Sequence, residues 1–240
     1  MKRSSIILIV LFLTGISLTL DAFYPDKIKG SGNLITSTRT LKAFSKIECS
    51  LDATISLAQN ESSELKLEAE DNIAPIIKTE VVGDKLTITA DQSYSSQKPI
   101  KLYIPVKELK VIVMKGSGTL TNEGMLQSEN LSLELLGSGN VNLNVTGKKL
   151  QTLLAGSGNI KISGIMEQHN TRVAGSGDVQ AFDLKTQQTV AYMAGSGNCN
   201  ISASVDLKAS VAGSGDIIYK TAPLKISTSV SGSGSIRKAE

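Results

Sequence analysis

The chain has 240 residues and a formal net charge of +3, a length that suits one long domain or two small ones. Removal of residues 1–19, which is predicted below, takes away Lys2 and Arg3 and no anion, so the net charge falls to +1. A nearly neutral exported chain binds nucleic acid poorly, and we therefore expect no nucleic-acid partner.

The N-terminus has the pattern of a signal peptide. Lys2 and Arg3 precede an apolar run from Ile6 to Leu20, which is shorter than the roughly 20 residues that a membrane-spanning helix needs. We predict a signal peptide at residues 1–19, with an uncleaved anchor as the alternative, and a linker over residues 20–35. The protein is then exported to the periplasm or the cell surface of a bacterium, with no membrane span after signal removal.

Residues 36–110 are predicted to be an irregular β-rich part. The segments "TISLA", "ELKLEAE", "KLTITA" and "IKLYIP" alternate apolar and polar residues, and prolines interrupt them. This part is either a set of irregular, wider coils or a β-rich cap of the domain that follows.

Residues 111–240 contain a repeat. The tripeptide GSG begins at Gly116, Gly137, Gly156, Gly175, Gly195, Gly213 and Gly232, with intervals of 18 to 21 residues, and an isolated earlier copy spans Gly30 to Asn33. Such a period is typical of a solenoid. Two residues before each copy, and four residues after its first glycine, the residue is apolar in all seven cases, and the flanks alternate apolar and polar residues. These patterns predict strands with one buried face that meet at a glycine corner, as in a single-stranded parallel β-helix with coils of about 19 residues.

The same residues resemble the bacterial head GIN domain family, whose members are described as autotransporter adhesin heads. The resemblance rests on "FSKIECSLDATISL", on "LYIP", on the serial "GSGN/GSGD", on "GSGDIIYKTAP" and on "SGSGSI", and covers residues 36 to 237. It implies a right-handed β-helix and an adhesion role. The family usually has Gly where this chain has Thr221, a departure that affects one turn.

The corner residues after GSG are the candidate site. They form a column that we expect to stack into a polar ladder, which either holds the corners together or bonds sugar hydroxyls or another protein. Only two carboxylates stand in it, on alternate coils, which is too far apart for a shared calcium ion, so we predict no metal and no cofactor. The ladder residues are Asn140, Asn159, Asp178, Asn198 and Asp216.

Catalytic residues are not predicted. His169 is the one histidine and falls in a column of mostly apolar residues, so we interpret it as a wall residue. Cys49 and Cys199 are in phase with apolar neighbours, which favours buried thiols, although a disulfide is the alternative in an oxidising compartment. The charged residues that a polysaccharide lyase or hydrolase would need are scattered over different offsets of the repeat: Glu167, Arg172, Asp183, Lys185, Asp206 and Lys208.

Three hypotheses about function follow. The favoured one is a non-enzymatic binding or adhesion module of the cell envelope or surface, with an envelope protein or a glycan as partner. An aromatic content of 4 % without Trp weakens the glycan version, because sugar sites commonly use flat apolar rings. The alternatives are a periplasmic scaffold that associates with a second copy through a terminal coil, and a polysaccharide-acting β-helix enzyme.

Overall fold

A computed structural model of the chain describes residues 27–240 as an all-β structure with a single 3-10 turn, Ala74–Ile76. The predicted all-β class is confirmed. The predicted signal peptide at residues 1–19 lies outside the described residues. None of the helical structure within residues 27–240 has the length and apolarity to cross a membrane.

The N-terminal part holds nine strands that mix parallel and antiparallel pairing. In chain order they are β1 (Ile28–Lys29), β2 (Leu34–Thr40), β3 (Lys46–Cys49), β4 (Thr54–Gln59), β5 (Glu64–Glu70), β6 (Ile77–Val82), β7 (Lys85–Ala90), β8 (Tyr94–Ser95) and β9 (Lys101–Val106).

The C-terminal part is a regular parallel β-helix, as predicted. Its strands are β10 (Val111–Gly116), β11 (Thr119–Glu123), β12 (Leu126–Gln127), β13 (Asn130–Gly137), β14 (Asn140–Gly156), β15 (Asn159–Gly175), β16 (Asp178–Gly195), β17 (Asn198–Ile201), β18 (Asp206–Gly213), β19 (Asp216–Tyr219), β20 (Lys225–Gly232) and β21 (Ser235–Lys238).

Each coil has two walls that meet at the GSG corner. Wall A is the sheet of strands that lead into the corners, and wall B is the sheet of strands that leave them. Wall A contains β7, β3, β10, β13, the C-terminal halves of β14 to β16, β18 and β20. Wall B contains β9, β4, β11, the N-terminal halves of β14 to β16, β17, β19 and β21.

The predicted register is confirmed along the whole repeat. Gly137 pairs with Gly156, and Gly156 with Gly175, so each corner lies on the corner of the previous coil. The coil between Gly175 and Gly195 is one residue longer than its predecessor, and the register of β15 with β16 shifts between Lys161 and Ser163 to absorb the extra residue.

The interior is filled by the apolar columns that the sequence predicts. Leu135, Leu154, Val173, Met193 and Val211 precede successive corners by two residues, and each is at most 1 % exposed. Burial of such side chains contributes about 1.5–3 kcal/mol each, which makes this interior stack the main support of the coils.

The order of coils along the axis differs from their order in the chain. The coil formed by β3 and β4 lies between the coil of β7 and β9 and the coil of β10 and β11. Beyond β7 and β9, the antiparallel strands β2, β5 and β6 close the N-terminal end. Residues 36–110 thus contain parallel coils and an antiparallel part.

Residues 28–35, which the sequence assigns to a linker, contain β1 and the start of β2. The physical reason is the isolated GSGN copy at Gly30–Asn33. Its backbone donates hydrogen bonds to the side chains of Glu70, the last residue of β5, and Asn72, which follows β5, so this segment is fixed to the cap.

Candidate functional site

The glycine corners are held by a repeated backbone interaction. The amide groups of Ser157 and Gly158 both donate to the carbonyl oxygen of Gly137 on the previous coil, each at 3.1 Å. Gly156 has φ +139°, and a Cβ at this position would lie 2.2 Å from the Gly137 oxygen. Glycine is required there by its conformation and by the close approach of two backbones.

The ladder side chains bond in separate pairs along the axis. Asn159 Nδ2 donates to Asn140 Oδ1 at 3.1 Å. Asp178 Oδ1 accepts two hydrogen bonds from Asn198, from its backbone nitrogen at 2.7 Å and from Nδ2 at 3.0 Å. A carboxylate at position 178 thus receives a backbone donor as well as a side-chain donor.

Asp216 repeats this arrangement two coils further on. Its Oδ1 accepts from the backbone nitrogen and the hydroxyl of Ser235, both at 2.8 Å. Within residues 27–240 no group of three or more His, Cys, Asp and Glu side chains is placed to hold a metal ion. The contacts give the ladder a structural role, and its use as a binding face stays a prediction.

His169 lies inside the solenoid. Its side chain is 1 % exposed, its Nε2 lies 3.1 Å from Thr152 Oγ1, and burial lowers its pKa to about 4. The imidazole is therefore neutral at physiological pH and does not reach the outer surface. Its interpretation as a wall residue is confirmed.

Both cysteines are free and fully buried. Burial raises the pKa of the Cys49 thiol to about 11 and that of Cys199 to about 12. A thiol that does not ionise is a poor nucleophile and a poor metal ligand, so the two cysteines act as small hydrophobic residues.

The isolated corner at Gly30–Asn33 is held by carboxylate and amide groups in place of a preceding coil. Glu70 Oε1 accepts from the Gly32 nitrogen at 2.6 Å, and Asn72 Oδ1 accepts from the Ser31 nitrogen at 3.0 Å. Glu70 Oε2 accepts further bonds from the Ser96 hydroxyl and the Gln97 nitrogen. The Ser96 hydroxyl, followed by these backbone donors, lowers the pKa of Glu70.

A depression of about 420 Å³ lies on the outer face of wall A. One column of side chains crosses it over four successive coils, because Glu134 pairs with Leu153, Leu153 with Arg172, and Arg172 with Tyr192 in the sheet register. Asn170 and Val190 belong to the neighbouring column. We call these six residues the wall-A patch: Glu134, Leu153, Asn170, Arg172, Val190 and Tyr192.

The patch combines apolar and charged groups. Val190 and Tyr192 are 45 % and 38 % exposed, and the Arg172 guanidinium lies 5.4 Å from the centre of the Tyr192 ring. Such a cation–π contact holds the guanidinium over the wall. Within residues 27–240 Arg172 forms no salt bridge, so its N–H groups are free to bind a ligand.

Sequence reasoning missed the patch and treated Arg172 as one of several scattered charges. A signal was present, since Glu134, Leu153, Arg172 and Tyr192 all stand three residues before a corner glycine. That column changes from acidic to apolar to basic to aromatic, whereas the columns that support the fold keep one residue type. Of the other scattered charges, Asp183 pairs with Lys220 at 3.6 Å, in an exposed contact that contributes little.

A comparison with known families matches the model described as "Putative auto-transporter adhesin, head GIN domain" over residues 43–223. No protein among the curated sequences matches the chain.

Several solved structures are similar over nearly the whole chain. A putative adhesin from Bacteroides fragilis is 29 % identical with a TM-score of 0.84, and the alignment covers 88 % of this chain and 100 % of that one. A putative lipid binding protein from Parabacteroides distasonis is 30 % identical with a TM-score of 0.77, covering 90 % and 100 % of the two chains. A putative adhesin from Parabacteroides merdae, 20 % identical with a TM-score of 0.71, covers 90 % of this chain and 100 % of its own length and shares the fold.

Proposed function

This chain belongs to the head GIN domain family, and from that premise we propose that it is an exported, non-enzymatic adhesion module that binds its ligand with the wall-A patch. Export is supported by the two N-terminal cations and the apolar run that follows them. The partner is a glycan or a protein of the cell envelope or its surroundings.

The observation that carries the proposal is the composition of the wall-A patch. Leu153, Val190 and Tyr192 supply apolar area, while Arg172 and Glu134 supply hydrogen-bond donors and acceptors of opposite charge. Arg172 and Glu134 stand two coils apart, which corresponds to about 10 Å at the usual strand spacing. A ligand that offers both apolar and polar groups over this distance fits the patch.

The wall presents these groups in fixed positions. The patch residues on β14 and β15 lie on strands that pair on both sides, and their backbones have little freedom to lose on binding. Binding by a preorganised surface avoids much of the entropy cost of ordering side chains and loops. This property suits a module whose task is to bind rather than to change shape.

The chemistry of the interior argues against an enzyme. The single histidine is enclosed among wall residues, and the buried carboxylate of Glu70 is committed to the first corner. Neither group can meet a substrate on the outer surface.

An adhesion assay tests the proposal. Cells that produce the protein, and the purified protein on glycan and protein arrays, are compared with the variants Arg172→Glu and Tyr192→Ala. We expect either change to reduce binding at least about tenfold, because each removes a central anchor of the patch. Lys185→Glu is the matched control, since it makes the same charge change on an exposed residue outside the patch. If all three variants bound as strongly as the unchanged protein, the ligand would have to bind outside the wall-A patch.

A further inference from the structure

The two ends of the solenoid differ. At the N-terminal end, Arg39 of β2 donates to the carbonyl oxygens of Ala74 at 2.9 Å and Ile77 at 2.7 Å, and so joins the two outermost strands β2 and β6. At the C-terminal end, β20 and β21 form the last coil, and no described strand pairs with their outer edges.

The apolar interior is open at this last coil. Ile226 and Val230 continue the interior columns of Leu207 and Val211, which are 0 % and 1 % exposed. On the last coil the exposures rise to 48 % for Ile226 and 47 % for Val230. Solenoids need a terminal cap because an uncovered coil leaves its interior in water, and in the described part of the chain this end has none.

The edge of β20 is suited to pairing. The Lys225 nitrogen donates to the carbonyl oxygen of Val205 on the preceding coil. Because the direction of backbone hydrogen bonding alternates along a strand, the N–H and C=O groups of Ile226, Thr228 and Val230 point away from that coil, to the open edge. No charged residue stands between Ile226 and Gly232, whereas natural edge strands are commonly protected by lysine or proline.

We propose that a second copy of this chain covers the open end, through antiparallel pairing of β20 with β20 about a two-fold axis at Thr228. In this register Thr228 lies opposite Thr228 of the second copy, and Ile226 opposite its Val230. These residues all direct their backbone groups to the edge, so the three pairs exchange about six hydrogen bonds.

Side-chain chemistry selects this register over its neighbours. Centring the pair on Thr228 places both exposed apolar residues against each other on the interior face, where cross-strand apolar pairs stabilise a sheet. A shift of the centre to Ser229 would place Ile226 opposite Gly232, which has no side chain. Lys225 meets Ser231 of the second copy, so no like charges lie directly opposite one another. The contact is self-complementary, as a two-fold dimer requires.

The first test is the mass of the purified protein in solution, measured by light scattering after size exclusion over a concentration series. We expect a dimer that dissociates on dilution. Thr228→Lys places two cations at the two-fold axis and should raise the dissociation constant at least about tenfold. Ser229→Lys is the matched control, because this side chain points to the outside of wall A and stays in solvent in the dimer.

Cross-linking tests the register. In hydrogen-bonded antiparallel pairs the Cα atoms are about 5.5 Å apart, within the range that a disulfide spans. Thr228→Cys should therefore give a covalent dimer on oxidation, and Ser229→Cys should not. The native thiols give little background because Cys49 and Cys199 are buried. Circular dichroism confirms that each variant is folded.

The proposal is overturned by a monomer at all concentrations, by a dimer that Thr228→Lys leaves intact, or by cross-linking through position 229 in preference to 228. Co-sedimentation of a monomeric protein with phosphatidylcholine vesicles, lost in Thr228→Lys, would instead identify the open end as a lipid-facing surface. Neither result bears on the wall-A patch, which lies on the outer face of earlier coils.

Discussion

Substitution of corner glycines separates the two reasons for their presence. Gly156→Ala places a side chain at φ +139° and brings its Cβ to 2.2 Å from the Gly137 oxygen. Gly116→Ala has the unfavourable φ, +105°, but a Cβ at this position would meet nothing within 4 Å. Gly116→Ala therefore measures the cost of the positive φ alone, and Gly156→Ala measures that cost together with the cost of the close backbone contact.

The expected magnitudes follow from these geometries. A residue other than glycine in this region of φ costs about 1–3 kcal/mol, and overpacking against a backbone that cannot move adds about 1–3 kcal/mol. We predict a loss of about 1–3 kcal/mol in the free energy of unfolding for Gly116→Ala and of about 2–6 kcal/mol for Gly156→Ala. Gly158→Ala, whose Cβ would lie 2.5 Å from the Gly139 oxygen without a positive φ, isolates the stacking contribution.

Urea denaturation followed by circular dichroism measures all three variants against the unchanged protein. We expect Gly156→Ala to be the least stable of the three. If Gly156→Ala and Gly116→Ala lose the same free energy, close stacking does not determine the residue at the corner. If none of the three is destabilised, the corner account is wrong.

Two further predictions concern buried titratable groups. Burial lowers the pKa of His169 to about 4, below the 6.5 of an unfolded histidine, so the unfolded state takes up the proton first and stability falls as pH decreases from about 6.5 to 4. Over this range the free energy of unfolding of the unchanged protein should fall by about 3 kcal/mol more than that of His169→Leu, as measured by denaturation at each pH. Identical pH profiles of the two proteins would refute this prediction. For Glu70→Gln we expect faster amide exchange at residues 30–32, because the amide group no longer accepts all the donors of the first corner. Glu64→Gln, a change of an exposed residue on the same strand, is the control and should leave that exchange rate unaltered. If Glu70→Gln also left the exchange rate unaltered, the Glu70 carboxylate would not be what holds the corner.

The regular part of the fold could be predicted because it obeys one period. Each coil repeats the same glycine conformation and the same inward positions, so aligning the copies on their first glycine gives the register that pairs Gly137 with Gly156. The coil of β3 and β4 could not be placed in this way. Its corner, Ser50 to Ala53, has no glycine, and its position between two later coils depends on long-range pairing that leaves no local pattern.

The candidate site shows a similar division. The corner ladder stands beside the repeat motif, and its members could be named from the sequence. The wall-A patch was missed although its column can be aligned on the corner glycines, because outward side chains vary from coil to coil and their column shows no single residue type. Arg172 and Tyr192 become neighbours only when the coils are stacked in register.

The central claim is that the protein is an adhesion module outside the cell, and protease accessibility tests it most directly. The tagged protein is digested on intact cells and on cells whose outer membrane has been permeabilised, with a periplasmic protein as the control for leakage. The account predicts cleavage on intact cells at the same rate as after permeabilisation. Cleavage that requires permeabilisation would contradict the surface adhesin and favour a periplasmic scaffold.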